Sequence, residues 1–344
     1  MENGALVSLI IPVYNVRPYL AEALDSAVHQ TYGHLEIIVI DDGSTDGSGE
    51  MCVEYAEKDR RIRVVHQENK GLSAARNAGL DRMTGEAVAF LDSDDAFDPS
   101  FVERMLAAMI RENADQVICR YSVHHTSGTL RNQEKESILP LIQPGVYGRT
   151  GVLQALFEGT INVSVWGKLY KREIWNGFRF RAGHVYEDNE ASYKAGNQCE
   201  RAYVLDDLLY LYRKRPGSIT NTATLQNVND RFLAASLEEA LVRREMTDIY
   251  SHEQLERLIQ MRRDRMIHWC IRWYGLHKTQ GDDGKTAGKE LRRRILAYGK
   301  ENGMDGWKPR TKTVYRLLRL CPRLLRIAYS VYLPAKRMLR RLTG

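Results

Sequence analysis

The stretch Ala87-Val88-Ala89-Phe90-Leu91-Asp92-Ser93-Asp94-Asp95 joins an apolar run of strand length to three carboxylates within four residues. Carboxylates this crowded repel one another unless a cation lies among them, and hard oxygen donors favour Mg²⁺ or Mn²⁺ over zinc. The plain alternative is a solvated acidic turn that caps a helix beginning near Pro99. The flanking sequence decides between the two.

Upstream, the apolar runs Val7 to Val13, Leu35 to Ile40 and Ile62 to His66 alternate with helical patterns at Tyr19 to Gln30, Gly49 to Lys58 and Ser73 to Met83. This βαβαβαβ rhythm predicts an α/β fold: a mostly parallel sheet covered by helices on both faces, with ligands bound beyond the carboxyl ends of its strands. Val13-Tyr14-Asn15, Asp41-Asp42 and Asp92-Ser93-Asp94 all fall at such ends. Downstream, a helix is expected from Pro99 to Glu112 and a strand from Gln116 to Tyr121. An irregular stretch containing His124-His125 follows and reads as a surface hairpin or insertion. A helix at Thr150 to Phe157, a turn-rich segment to Arg181, a short helix at Tyr186 to Ala195 and a strand at Tyr203 to Arg213 complete the body. From Leu225 to Asn302 the pattern is helical. The expected organisation is an α/β body over residues 1–222, a helical region over 223–306 and a basic tail over 307–344.

At 344 residues the chain can bury a sizeable core, and its 43% hydrophobic and 27% charged content is ordinary for a folded protein. Five scattered cysteines form no close pair, which argues against a disulfide scaffold or zinc ribbon and for a reducing compartment. The first apolar run lacks a basic leader, and no run reaches transmembrane length, so a soluble or membrane-peripheral protein is expected. The net charge of +6 is unevenly spread. From Trp307 onward there are eleven Lys/Arg and no acid, which leaves −5 for the rest. A nucleic-acid-binding body is therefore disfavoured.

Asp41-Asp42-Gly43-Ser44-Thr45-Asp46 places carboxylates and turn residues after the second strand. They could accept the imide N–H of a pyrimidine or ribose hydroxyls, or simply form a turn and helix cap. Gly71 to Gly79 opens a helix with small residues and carries Arg76 one turn in, within reach of a diphosphate. In the tail, Lys312, Arg316, Arg319, Arg323 and Arg326 recur at helical spacing opposite Leu317, Leu318, Cys321, Leu324, Leu325 and Ala328. A basic amphipathic helix of this kind suits an anionic membrane surface, unless its apolar face packs on the body instead.

Taken in order, Leu9 to Asn15, Ile38 to Asp46, Gly71 to Gly79 and Leu91 to Asp95 resemble the motifs of glycosyltransferase family 2. The likeness extends more loosely through Trp166 to Tyr170, Glu187-Asp188 and Arg213 to Thr220. The resemblance implies a GT-A fold with a mixed, mostly parallel sheet and an inverting transfer from a UDP-sugar. It implies that Pro12, Tyr14 and Asn15 line the uridine pocket with Asp41 or Asp42 reading the uracil, and that Arg76 faces the diphosphate, with Arg213 or Arg215 as further candidates. Asp92, Ser93 and Asp94 match the family's Asp-x-Asp, for ribose and a divalent Mn²⁺ or Mg²⁺. Asp94 is favoured as the direct ligand, with Asp92 and Asp95 as alternatives. Glu187-Asp188 matches the acidic pair that supplies the base, with Asp188 preferred, although Ala191-Ser192-Tyr193 departs from the aromatic usual after it. Trp166 and Lys168 would shape the acceptor side.

The expected partners are a UDP-sugar, a glycan or lipid-linked acceptor and the inner face of a bacterial plasma membrane. Oligomeric state is not legible. Two rivals fit less well. A sugar nucleotidyltransferase needs a glycine-rich basic loop where Pro12-Val13-Tyr14-Asn15-Val16 stands, and a non-catalytic membrane adaptor of the same fold would lack carboxylates.

Overall fold

The computed structural model describes residues 4–125, 130, 137–139, 142–215, 225–276 and 281–329. The chain divides into two compact units, residues 1–218 and 219–344.

The first unit is a mixed α/β sandwich around a ten-stranded sheet. Its N-terminal half follows the alternation of the sequence: β1 (Val7–Val13), α1 (Arg17–Val28), β2 (Leu35–Asp41), α2 (Ser48–Lys58), β3 (Ile62–His66), α3 (Leu72–Leu80) and β4 (Ala87–Phe90). These four strands run parallel in the order β3-β2-β1-β4, with Ile10 beside both Ile38 and Phe90. Every residue of β1, β2 and β4 is buried because helices cover both faces, which is why these strands read as unbroken apolar runs. Pro12, which has no N–H to give, lies beyond the last β1–β4 pair.

α3 lies close on this layer. A Cβ at Gly79 would overlap the Ile10 side chain, so the helix approaches β1 to a distance only glycine permits. Gly79→Ala is expected to lower stability by about 1–3 kcal/mol in urea titrations, since overpacking outweighs the gain of up to roughly 1 kcal/mol in helix propensity. An unchanged midpoint would mean that α3 shifts freely.

The other half adds β5 (Ala96–Phe97), α4 (Phe101–Arg111), β6 (Gln116–His125), β7 (Ser137–Leu139), β8 (Gly145–Gly148) and α5 (Arg149–Glu158). It continues with β9 (Lys168–Lys171), a 3₁₀ turn (Arg172–Trp175), α6 (Glu187–Gln198) and β10 (Arg201–Lys214). β9 lies in the segment expected to be only turns. It inserts antiparallel between β4 and β6, pairing Val88 with Tyr170 and Val117 with Leu169. Four residues are too short a run for a sequence pattern to mark. The expected surface position of His124 is corrected: it lies buried within β6, its Nε2 2.6 Å from the Ser122 hydroxyl. Most of the anticipated hairpin or insertion lies outside the described residues. The long strand β10 runs parallel to β6 and antiparallel to β5, pairing Tyr210 with Phe97. That pairing carries its carboxyl end to the acidic turn after β4.

In the second unit, the expected helical stretch resolves into α7 (Leu225–Glu245), α8 (His252–Leu276) and α9 (Gly281–Glu301), followed by α10 (Pro309–Leu320) and a helical segment over 322–329. Phe232, Ile267, Ile271, Leu291, Ile295 and Leu318 form its core. Partly buried Arg262–Glu238 and Arg263–Glu239 pairs tie α8 to α7. Among the described residues no helix is long and apolar enough to cross a membrane.

Candidate functional site

The carboxyl ends of the parallel strands meet as the alternation requires. Val13 pairs with Asp41, Asp41 with His66, and the Leu91 amide donates to the Ile10 carbonyl at 3.0 Å. Tyr14 projects from this rim half exposed, and Asn15 follows in a left-handed conformation (φ 47°) that asparagine tolerates. The Asn15 side-chain oxygen accepts from the Thr45 amide (2.8 Å), and its own amide donates to the Ser44 hydroxyl (3.2 Å), so the two rim loops are pinned together.

Asp41 and Asp42 both point into the protein. Asp41 accepts from the Ser44 amide (3.0 Å) and faces the His66 Nδ1 (2.8 Å). Asp42 accepts from Gln67 (2.6 Å) and from the amides of Lys70 (2.9 Å) and Gly71 (2.7 Å). Asp42 thereby fastens the loop that leads into α3.

At the centre is Arg76. The sequence suggested that it faces a diphosphate. Instead its guanidinium is buried at 1% exposure and bonds three carboxylates: Asp92 Oδ1 at 2.8 Å, Glu187 Oε1 at 2.6 Å and Asp188 Oδ1 at 2.6 Å. Burial alone would pull its pKa down, but Asp188, Asp92 and Glu187 outweigh that and hold it above the ordinary arginine value. The Phe180 ring lies 5.4 Å from the guanidinium carbon. Asn77, the next residue, exchanges two hydrogen bonds with the Phe180 backbone (2.8 and 2.9 Å), anchoring the loop before α6.

Glu187 and Asp188 occupy the first turn of α6, directly after Tyr186, which adopts φ 67°. A helix N-terminus favours carboxylates. For Asp188, burial is nevertheless the largest influence; with repulsion from Glu187 and Asp92 it overcomes Arg76 and Lys168 and raises the carboxyl to about 7. Lys168, on β9, is buried, donates to the Asn162 carbonyl at 2.9 Å and is lowered by burial to about 7. Trp166 stacks between Tyr210 (4.6 Å) and Tyr212 (5.1 Å) in the core.

The acidic turn divides its carboxylates. Asp95 is buried, accepting from the Tyr210 hydroxyl (2.6 Å) and the Arg213 amide (2.7 Å). Each of its oxygens thus already accepts one hydrogen bond from β10, which ties the turn to that strand. Ser93 sits buried between Asp92 and Asp94. Asp92 and Asp94 each give one oxygen to an arginine, Asp94 Oδ2 to Arg215 Nε at 2.7 Å. Burial, then the neighbouring Asp92, raises the Asp94 carboxyl. Among the described residues no three His, Cys, Asp or Glu side chains form a ready-made metal cage. Two adjacent hard carboxylates do suit a dication that takes the rest of its shell from phosphate oxygens and water.

Arg213, the second diphosphate candidate, is held by the acidic turn and α1. It is buried, with Nε on the Asp94 carbonyl (2.7 Å) and a terminal nitrogen on Glu22 (2.5 Å), so it braces the turn. Arg215 is the more exposed, and both arginines lie over the Tyr19 ring. Glu22, Tyr19 and Tyr210 were missed because a helical Glu or a strand Tyr carries no local signature. Asn77 stood inside a motif without an assigned role.

A sheet covered by helices on both faces, with carboxylates clustered at its strand ends, defines the class of protein as an α/β fold with a candidate site at that rim. The family model Glycosyl transferase family 2 matches residues 8–178. Glycosyltransferase GlyG of Streptococcus pneumoniae is 34% identical over 223 residues, covering 63% of this chain and 73% of that protein. Glycosyltransferase GlyA of the same species is 38% identical over 229 residues, 63% of this chain but 32% of GlyA, so the chain spans about a third of that relative. Uncharacterized glycosyltransferase EpsJ of Bacillus subtilis is 35% identical, with 63% of its length covered. The chain belongs to glycosyltransferase family 2. Its fold is GT-A: the crystal structure of S. aureus TarS 1–349 with UDP-GlcNAc superposes at a TM-score of 0.70 and 18% identity, covering 94% of this chain and 91% of that one.

Proposed function

We propose that this glycosyltransferase is an inverting enzyme that moves a hexosyl or N-acetylhexosaminyl group from a UDP-sugar to a hydroxyl of a glycan or lipid-linked acceptor. Bacterial surface polysaccharide synthesis is the setting. The observation that carries the reading is the bridge through Arg76, which puts Asp92 of the acidic turn and the Glu187-Asp188 pair on one guanidinium. Donor-side and base-side carboxylates thus share one charge centre. The UDP-GlcNAc bound by TarS supports the donor class.

Asp188 is the base. Arg76 holds its Oδ1, and Oδ2 takes the proton of the attacking hydroxyl while that oxygen displaces UDP from the opposite face of the anomeric carbon. A carboxyl raised to about 7 is a stronger base than an ordinary aspartate and still substantially ionised at neutral pH. Tyr14 offers its ring to the uracil, and the rim loop pinned through Asn15 and Asp41-Asp42 shapes that pocket. Arg215, paired with Asp94 in the free protein, is the cation assigned to the departing diphosphate. Mn²⁺ or Mg²⁺, when held by Asp94 and Asp92, would neutralise charge on that diphosphate. The mannosyltransferase PcManGT of Pyrobaculum calidifontis, a more distant structural match (TM-score 0.50), was solved with GDP-Man and Mn²⁺.

Incubation with a panel of UDP-sugars and Mn²⁺, read by UDP release, tests the enzyme reading; no release with any donor and acceptor extract would favour a non-catalytic adaptor. For the metal, UDP titrations should show at least about tenfold weaker binding in chelator, since several kcal/mol of charge neutralisation are at stake. Equal affinity with and without chelator removes the metal from Asp92 and Asp94.

A further inference from the structure

The tail was expected to put its apolar face either on a membrane or on the rest of the protein. The structure separates two apolar faces. The inner one, Tyr315, Leu318 and Leu325, is buried in the core of the second unit. The terminal groups of Arg292 close α10 by donating to the carbonyls of Leu318 and Arg319. The outer face is another set of side chains: Leu320 is 77% exposed, Leu324 53% and Ile327 59%. Leu324 and Ile327 stand at i and i+3 on one side of the segment 322–329, and Leu320 precedes them as the last residue of α10, across the turn at Cys321. Among the described residues eight large apolar side chains are exposed, and three of them lie in this stretch. Along the same helices Lys308, Arg310, Arg316, Arg319 and Arg323 are all exposed, and residues 307–344 contain no Asp or Glu.

We propose that α10 and the helical segment 322–329 form a docking surface for an anionic lipid bilayer, with Leu320, Leu324 and Ile327 entering the headgroup region and the surrounding arginines and lysines pairing with lipid phosphates. Charge selects this occupant. A partner protein needs a matching acidic face, and a second copy of this segment would bring like charges together. A bilayer rich in anionic lipid accommodates apolar tips and cations at once. Because the inner face already holds the helices in place, docking needs no refolding. The inference stands apart from the catalytic reading.

Cys321 supplies the probe. Among the described residues the other four cysteines are buried, whereas Cys321 is exposed beside Leu320. An environment-sensitive dye on Cys321 of the full chain should shift to the blue with phosphatidylglycerol vesicles and not with phosphatidylcholine vesicles, the shift fading in high salt. Unlabelled protein should float with the same vesicles. Leu320→Ser with Leu324→Ser should weaken flotation at least about tenfold without changing the melting curve, since both side chains are already in water. Arg316→Gln, Arg319→Gln and Arg323→Gln together should weaken it roughly a hundredfold at low salt. Equal binding to neutral vesicles, or full binding by the double serine variant, overturns the proposal. So does a double serine variant that turns a dimer into a monomer by light scattering while vesicle binding persists, or loss of binding only on truncation after residue 329.

Discussion

Asp188→Asn is expected to lower transfer by about three orders of magnitude while UDP affinity stays within twofold of wild type, the usual cost of removing a general base lying between 10² and 10⁴. Asparagine keeps the size of the side chain and its bond from Arg76 but cannot accept the acceptor's proton. The same assignment fixes a pH profile. Burial and the nearby Glu187 and Asp92 raise the Asp188 carboxyl to about 7 despite Arg76, and the base works only when deprotonated. Wild-type kcat/KM should therefore rise with pH, be half-maximal near 7, and fall about tenfold per pH unit well below it. Asp188→Asn should lose that acidic limb from its residual rate. Glu187→Gln serves as the control, since it neutralises the other carboxylate of the same turn while keeping an oxygen for Arg76. Full transfer by Asp188→Asn with normal UDP binding would sink the assignment, and a collapse confined to Glu187→Gln would move the base to Glu187.

The second large effect is on stability. Arg76→Met preserves much of the buried volume but leaves Asp92, Glu187 and Asp188 without the one guanidinium that bonds all three. Removing one side of a buried ionic network typically costs about 3–5 kcal/mol, because uncompensated charge remains. The sign of its pH dependence follows from the carboxylates. Asp188 already binds a proton more readily folded than unfolded, so by itself it withdraws stability as pH rises from the ordinary carboxylate range towards 7. Without Arg76, which lowers it, the Asp188 carboxyl is raised further, so it withdraws stability up to a higher pH. The deficit of the variant should be largest at pH 8 and shrink at pH 5, where protonation relieves the repulsion. Urea titrations of wild type and Arg76→Met at both values measure this. A difference under about 1 kcal/mol at pH 8 would show that the carboxylates rearrange into solvent, and Arg76 would then be no hub.

Much of the first unit was legible because its information is local. The parallel strands are buried on both faces and so are written as unbroken apolar runs, and their carboxyl ends are marked by Tyr14-Asn15, Asp41-Asp42 and Asp92 to Asp95 within a few residues of each run. β9 was not legible. Its residues Lys168–Lys171 take their strand conformation from β4 and β6 on either side, and neither lies near them in sequence. The tail shows the same limit differently: its periodicity revealed an amphipathic helix, but only packing could assign Leu318 and Leu325 inward and Leu320 and Leu324 outward.

By itself, then, the sequence determined the α/β alternation, the family motifs and the set of carboxylates at the strand ends, since spacing and residue type suffice for these. Tertiary structure alone decided what those charges do. Arg76 meets Glu187 and Asp188 across 111 and 112 residues of chain, Asp95 turns inward to Tyr210 across 115, and the Asp188 carboxyl is raised to about 7 chiefly by burial. Charge is written residue by residue, whereas desolvation and the distance to an opposite charge exist only once the chain has folded.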